Sequence, residues 1–291
     1  MNRLRPVAGT SWVPAIFWAL MGLLGGGCAS RHELAQEIAA AGGLRPEAVA
    51  TARFDLLAFT RLTPDAPRLT VYLEGDGDAW ITPTRLSDDP TPRQPVALRL
   101  AARDPSPSVA YLARPCQYVQ GTARHHCHPA FWSHARYAPE VVDAFAEAIG
   151  GLMARSGATR LHLVGYSGGG ALALLLAQRG VVPEQLTTVA GLLDTAAWSA
   201  HHRLSPLTGS LNPADGLASL GSIPQTHWVG GRDEVVPPAL TRAALARAAL
   251  DRLPTIRVRE IPGYDHDCCW EATWPEGASP ETPANGMGES P

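Results

Sequence analysis

Apolar and polar positions follow two different periods along this chain, and the change of period marks its elements. Short apolar runs at 53–60, 68–73, 109–113, 159–164, 186–193, 225–229 and 255–261 have the length of strands. Turn formers separate them, as in Thr63-Pro64-Asp65-Ala66-Pro67. Helical spacing appears between the runs. Val142, Phe145, Ala146, Ile149 and Met153 recur at three- and four-residue steps, which predicts a helix over 139–154. Further helices are predicted at 31–43, ended by Gly42-Gly43, at 171–177 and at 238–250. The stretch 82–107 is rich in Pro, Asp and Arg and reads mostly as loop, with a short helix at 95–103. A long loop is expected at 114–136 and an irregular insertion at 195–224. Residues 271–291, rich in Pro, Gly, Ser and Glu, read as a disordered tail.

Strands alternate with helices, and the strands after residue 108 are apolar along their whole length. A strand buried on both faces has that composition, whereas a half-exposed one alternates. The expected class is therefore α/β: a mostly parallel central sheet with helices on both faces. The domain is expected to span 51–270, with 28–50 as an N-terminal segment and 195–224 as a candidate cap. In such sheets the residues that do chemistry gather at the carboxyl ends of the strands.

Three strand ends carry suitable residue types. The run 159–164 leads into Gly165-Tyr166-Ser167-Gly168-Gly169 and then into helix-forming residues. A strand, a sharp turn and a helix around Gly-x-Ser-x-Gly is the setting that exposes a serine hydroxyl, and glycines are needed where the strand and helix cross. Asp233 follows a later strand, in Gly230-Gly231-Arg232-Asp233-Glu234-Val235-Val236-Pro237, and His266 follows the last one. Asp194, which also ends a strand, competes with Asp233 for the role of acid. His162 and His227 lie inside strands and read as packed core residues. His201 and His202 read as a solvated pair, or as part of a pocket wall. The group His125-His126-Cys127-His128 fits no zinc spacing, so no metal is expected.

With these motifs together, the chain resembles the α/β-hydrolases of the serine esterase and lipase type from about residue 51 to 270. The resemblance rests on Gly-Tyr-Ser-Gly-Gly, on the Asp-x-x-Val-Pro run at 233–237, and on the Asp-His near the C-terminus. It implies Ser167 as nucleophile, His266 as general base and Asp233 as the acid that orients it. It also implies two backbone donors for an oxyanion, the N–H of Gly168 and that of Asp76. Members of the family have His-Gly before the second donor, where this chain has Glu74-Gly75. A carboxylate aimed at an oxyanion would repel it, so Asp76 must point away or be neutralised. Read without the resemblance, Glu74–Gly77 is a tight turn or an acidic cluster. The implied activity is cleavage of a carboxylic ester, with no cofactor and a small ester or lipid-like substrate. Thioester cleavage, acyl transfer and a non-catalytic envelope binding protein on the same fold are the alternatives.

Composition adds a compartment. The net charge is -3 and all 24 basic residues are arginine, so no basic patch for nucleic acid is indicated. Residues 1–27 have the form of a secretory signal: Arg3 and Arg5, an apolar stretch over 12–24, then Gly25-Gly26-Gly27. Cys28 directly after the small residues resembles the lipobox of bacterial lipoproteins, with Leu24 one place earlier than usual. That resemblance implies a lipidated Cys28 and, with Ala29 next, an outer-membrane lipoprotein facing the periplasm; plain secretion is the alternative. Export leaves Cys116, Cys127, Cys268 and Cys269 in an oxidising compartment. Cys116–Cys127 closes a short loop and is the first expectation. Cys268–Cys269 is then an adjacent pair, and crossed pairing is the alternative.

Overall fold

The computed structural model describes residues 30–82, 84–124 and 126–274. The expected export signal, Cys28 and the tail beyond 274 lie outside the described residues. In chain order the elements are α1 (Arg31–Ala41), β1 (Arg45–Ala50), β2 (Asp55–Arg61), β3 (Arg68–Leu73), β4 (Trp80–Thr82), β5 (Arg85–Leu86), α2 (Val96–Arg103) and β6 (Val109–Leu112). Then follow α3 (Pro139–Ser156), β7 (Arg160–Tyr166), α4 (Gly168–Gln178), β8 (Gln185–Val189), α5 (Thr195–His201), β9 (Gln225–Gly230), α6 (Pro238–Arg247) and β10 (Ile256–Ile261).

Eight of these strands form one sheet in the order β1-β2-β6-β3-β7-β8-β9-β10. From β6 to β10 every neighbouring pair is parallel, and β2 runs against both β1 and β6. Alternation along each strand feeds two cores. On β3, Leu69, Val71 and Leu73 face one side, with α3 and α4, while Tyr72 faces the other, with α1 and α2. Both faces are buried, which is why the central strands are continuously apolar. No helix among the described residues is long and apolar enough to cross a membrane.

The structure departs from the expected elements in four places. The segment before residue 51 joins the fold: α1 packs on α2, and β1 extends the sheet by pairing with β2 from Arg45 opposite Thr60 to Ala50 opposite Asp55. β1 escapes notice because it is an edge strand with a proline and a glutamate in it. The stretch 82–107 begins with half of a small hairpin, β4–β5. The strand expected at 186–193 stops at Val189, and α5 begins within the region expected to be irregular, capped by Asp194. The tail expected from 271 starts too early, because Trp274 is buried and its indole N–H donates to the Tyr72 hydroxyl at 2.9 Å.

Candidate active site

The turn between β7 and α4 is sterically over-determined. Ser167 sits at φ +50°, ψ −118°, a conformation that a non-glycine residue holds only when its surroundings insist. A Cβ on Gly165 would collide with the backbone of Gly169, and one on Gly169 would lie 2.7 Å from the Leu73 carbonyl carbon. The start of α4 therefore approaches both β7 and the end of β3 at distances only glycine permits. The Ser167 N–H donates to the Val189 carbonyl at 2.9 Å, and the Ser167 carbonyl accepts from Leu192 at 3.1 Å. These bonds from the neighbouring strand hold the turn in place and leave the hydroxyl facing outward.

His266 comes from the loop after β10 and Asp233 from the loop after β9, the edge of the sheet on the β8 side of the turn. Ser167 Oγ lies 2.9 Å from His266 Nε2, and His266 Nδ1 lies 2.9 Å from Asp233 Oδ2. The Asp233 side chain is fully buried. Its other oxygen accepts the N–H groups of Val235 at 2.8 Å and Val236 at 2.7 Å. A carboxylate only accepts, so Nδ1 carries the imidazole proton and Nε2 is left to accept from the serine hydroxyl. The loop bearing His266 is itself held, because the indole N–H of Trp270 donates to the His266 carbonyl at 2.8 Å and the Tyr166 hydroxyl donates to the next residue, Asp267, at 2.8 Å.

The structure does not bring Asp194 to the imidazole. Its Oδ1 caps α5, accepting from Ala197 N–H at 2.9 Å and from Asn212 at 3.1 Å, and its other oxygen pairs with Arg247. His162 and His227 are buried in strands and bonded to Thr187 and Thr188 at 2.9 and 2.8 Å. Burial pushes both imidazoles down to about 4, so they are neutral packing groups. His202 bonds the Val235 carbonyl at 2.9 Å and helps brace one wall of the site. Cys116 pairs with Cys127 and Cys268 with Cys269.

The loop expected to carry the second oxyanion donor follows β3. Gly75 lies against the turn, such that a Cβ there would be 3.4 Å from the Ser167 Cβ. Neither the Asp76 nor the Gly168 N–H donates to an acceptor among the described residues. The acidic side chains have separate fates. Asp76 is neutralised: it accepts from Arg114 at 3.0 Å, from Arg136 at 2.6 Å, and from the Tyr137 hydroxyl at 3.1 Å. Burial by itself would raise this carboxyl, but the charges of Arg136 and Arg114 outweigh it and hold the group below its ordinary value. Glu74 is buried with no cation against it, and its Oε1 accepts the Gly75 N–H at 2.9 Å. Burial pushes its carboxyl up to about 7.

Glu74 gives stability a pH dependence. Its pKa is higher in the folded protein than the ordinary 4.5, so its contribution is complete below 4.5 and is lost as pH rises through 7. Glu74→Gln keeps the neutral shape and cannot ionise. The variant is expected to match the wild type at pH 4 and to exceed it at pH 8 by ~3 kcal/mol, at ~1.4 kcal/mol per pH unit. Thermal unfolding at the two pH values checks this, and an equal difference at both would contradict it.

A cavity of about 770 Å³ opens over Ser167 and His266. Apolar side chains line it on two sides: Trp80 from the β4–β5 hairpin on one, and Leu192, Trp198, Val235 and Val236 on the other. The Trp198 indole N–H donates to the Val235 carbonyl at 2.8 Å and fixes that side.

No protein-family model matches the sequence, and no curated protein matches it either. Solved structures do match in fold. The esterase Pf2001 of Pyrococcus furiosus aligns over 77% of this chain and 82% of its own, at TM-score 0.53 and 11% identity. TT1662 from Thermus thermophilus aligns over 77% and 90%, at TM-score 0.51 and 19% identity. Proline iminopeptidase of Mycobacterium smegmatis aligns over 80% and 94%, at TM-score 0.51 and 15% identity. The parallel sheet, the glycine-bounded serine turn between β7 and α4, and these neighbours define an α/β-hydrolase fold.

Proposed function

We propose that the chain is a serine hydrolase that cleaves carboxylic esters through an acyl-enzyme on Ser167. One observation carries the reading: Ser167, His266 and Asp233 stand in a continuous relay with both links at 2.9 Å. In attack, Ser167 Oγ bonds to the ester carbonyl carbon while its proton passes to His266 Nε2. The carbonyl π pair moves onto oxygen, and the N–H groups of Asp76 and Gly168 receive it. Collapse re-forms the carbonyl and expels the alkoxide, which takes the proton back from His266. Water repeats the sequence and releases the acid. The apolar walls of the cavity suit a small ester or a lipid-like acyl group.

Among the fold neighbours, one is named an esterase and another an iminopeptidase. The fold therefore serves both ester and amide chemistry, and thioester cleavage or acyl transfer would use the same relay. A non-catalytic envelope binding protein is disfavoured, because such a protein has no use for a strained serine aligned on a histidine. A fluorophosphonate probe tests the reading directly. The wild type is expected to be labelled and to hydrolyse short-chain aryl esters, and Ser167→Ala is expected to do neither. An unlabelled, folded wild type with no turnover would end the proposal.

The sequence pattern before residue 29 supports the further proposal that the protein is exported and anchored through a lipidated Cys28. Cys28→Ala is then expected to leave the membrane fraction. Unchanged fractionation would remove the anchor from the reading.

A further inference from the structure

The loop at 113–137 places two arginines on one carboxylate behind the oxyanion donors. Arg114 and Arg136 both bond Asp76, and their side chains are only 4% and 8% exposed. Asp76 is the sole carboxylate bonded to either guanidinium among the described residues. The remaining contacts are neutral: Arg136 Nε donates to the Ser133 carbonyl at 2.7 Å, Arg114 also bonds the Arg136 carbonyl, and Arg114 lies over the Tyr137 ring. The cluster thus holds one positive charge in excess, in a place where charge is costly to bury.

The cluster adjoins the site, with its carboxylate nearest the turn. A Cβ on Gly168 would meet the Asp76 carboxylate and would lie 2.6 Å from the Tyr137 hydroxyl, so the cluster sits directly against the first residue after the nucleophile. Arg136 also lines the cavity over Ser167. Tethering the loop does not require the surplus charge, because neutral contacts already hold it. Gln117 Nε2 donates to the Gly75 carbonyl at 3.1 Å, and the Asp78 N–H donates to the Pro90 carbonyl at 3.0 Å. The Cys116–Cys127 disulfide closes the same loop between the two arginines.

We propose that the excess charge of the Arg114–Arg136 pair stabilises the oxyanion formed on Ser167 attack, making both arginines positioning residues that act through the oxyanion loop. The proposal rests on the hydrolase reading above. The substrate carbonyl is neutral in the ground state and carries a full negative charge in the tetrahedral intermediate. A fixed cation behind the N–H donors therefore favours the intermediate over the bound substrate, which raises kcat and leaves KM alone. In a poorly screened site, one surplus charge on the cavity wall is worth on the order of 10- to 100-fold in rate.

The test compares Arg136→Gln, which removes the charge, with Arg136→Lys, which keeps it, in the full chain. Each is assayed for kcat and KM on a neutral short-chain aryl ester. Affinity for a trifluoromethyl ketone, which forms an anionic adduct on serine, is measured alongside, and thermal unfolding verifies the fold. Arg136→Gln is expected to lose about 10- to 100-fold in kcat and a similar factor in ketone affinity, with KM within about twofold. Arg136→Lys is expected to recover most of both. Equal losses in two folded variants would show that geometry rather than charge matters, and a rise in KM alone would mean substrate contact; either overturns the proposal. If Arg136→Gln does not fold, Arg114→Gln removes the same charge and carries the same expectations. A wild type that fails to label with fluorophosphonate defeats the hydrolase reading, whereas a labelled wild type with charge-insensitive kcat defeats only this inference.

Discussion

His266→Ala is expected to lower kcat on a short-chain aryl ester by about 10⁴- to 10⁶-fold, the largest loss of any side chain except the nucleophile itself. Among the described residues Ser167 has no other base bonded to its hydroxyl, which meets His266 Nε2 at 2.9 Å. Without the imidazole, the proton must go to water during attack, and the leaving alkoxide must depart without a donor. Both steps of the acyl-enzyme route fail together. Labelling by a fluorophosphonate should slow in parallel, because it too requires an activated Ser167. The fold should persist, since the imidazole mainly contacts Asp233, Ser167 and the Tyr166 ring, and its loop is held independently by Trp270 on the His266 carbonyl and by Tyr166 on Asp267. Steady-state kinetics with a thermal-unfolding control decide the matter. A loss below tenfold in a folded variant would remove His266 from the mechanism.

Asp233→Asn follows, with an expected loss of about 10⁴-fold in kcat. The reason lies in the donors around the carboxylate. Val235 and Val236 both donate to Oδ1, so an asparagine must place its carbonyl oxygen there. Its NH₂ group then faces His266 Nδ1, where Oδ2 accepts in the wild type. The imidazole is forced to carry its proton on Nε2, which then donates toward Ser167 instead of accepting from it. The variant thus retains the geometry and loses the tautomer. Asp194→Asn is the matched control. Asp194 serves the α5 cap and Arg247, and asparagine caps helices well, so kcat should stay close to that of the wild type. If the two variants exchanged their effects, Asp194 would be the orienting acid.

Ser167, Asp233 and His266 were legible because each follows an apolar run, and a parallel sheet collects such positions along one edge. Glycine at 165 was legible for a local steric reason, the crossing of β7 and α4, whereas Gly169 is required by the distant Leu73 and Glu74 carbonyls at the end of β3. The requirement that Asp76 be neutralised was also readable in advance, from the repulsion between a carboxylate and an oxyanion. Which residues neutralise it was not. Arg114 and Arg136 stand 38 and 60 positions away in a loop with no periodicity. Nothing local separates them from the other arginines of the chain. Tyr166 and Trp270, which hold the His266 loop, were hidden in the same way.

By itself the sequence determined the class of fold, the glycine-bounded serine turn and the placing of Ser167, Asp233 and His266 after successive strands, because these depend on period, length and local sterics. Asp194 and Asp233 were alike on that evidence, each an aspartate at the end of an apolar strand. Only the tertiary structure decided between them, since the choice depends on which loop faces His266 across the sheet edge. It also decided that β1 lengthens the sheet through backbone pairing, which carries no side-chain signature at an edge. Long-range charge pairing was its last contribution. The surplus cation behind Asp76 exists because the fold brings two distant arginines to one buried carboxylate, and no local pattern encodes that meeting.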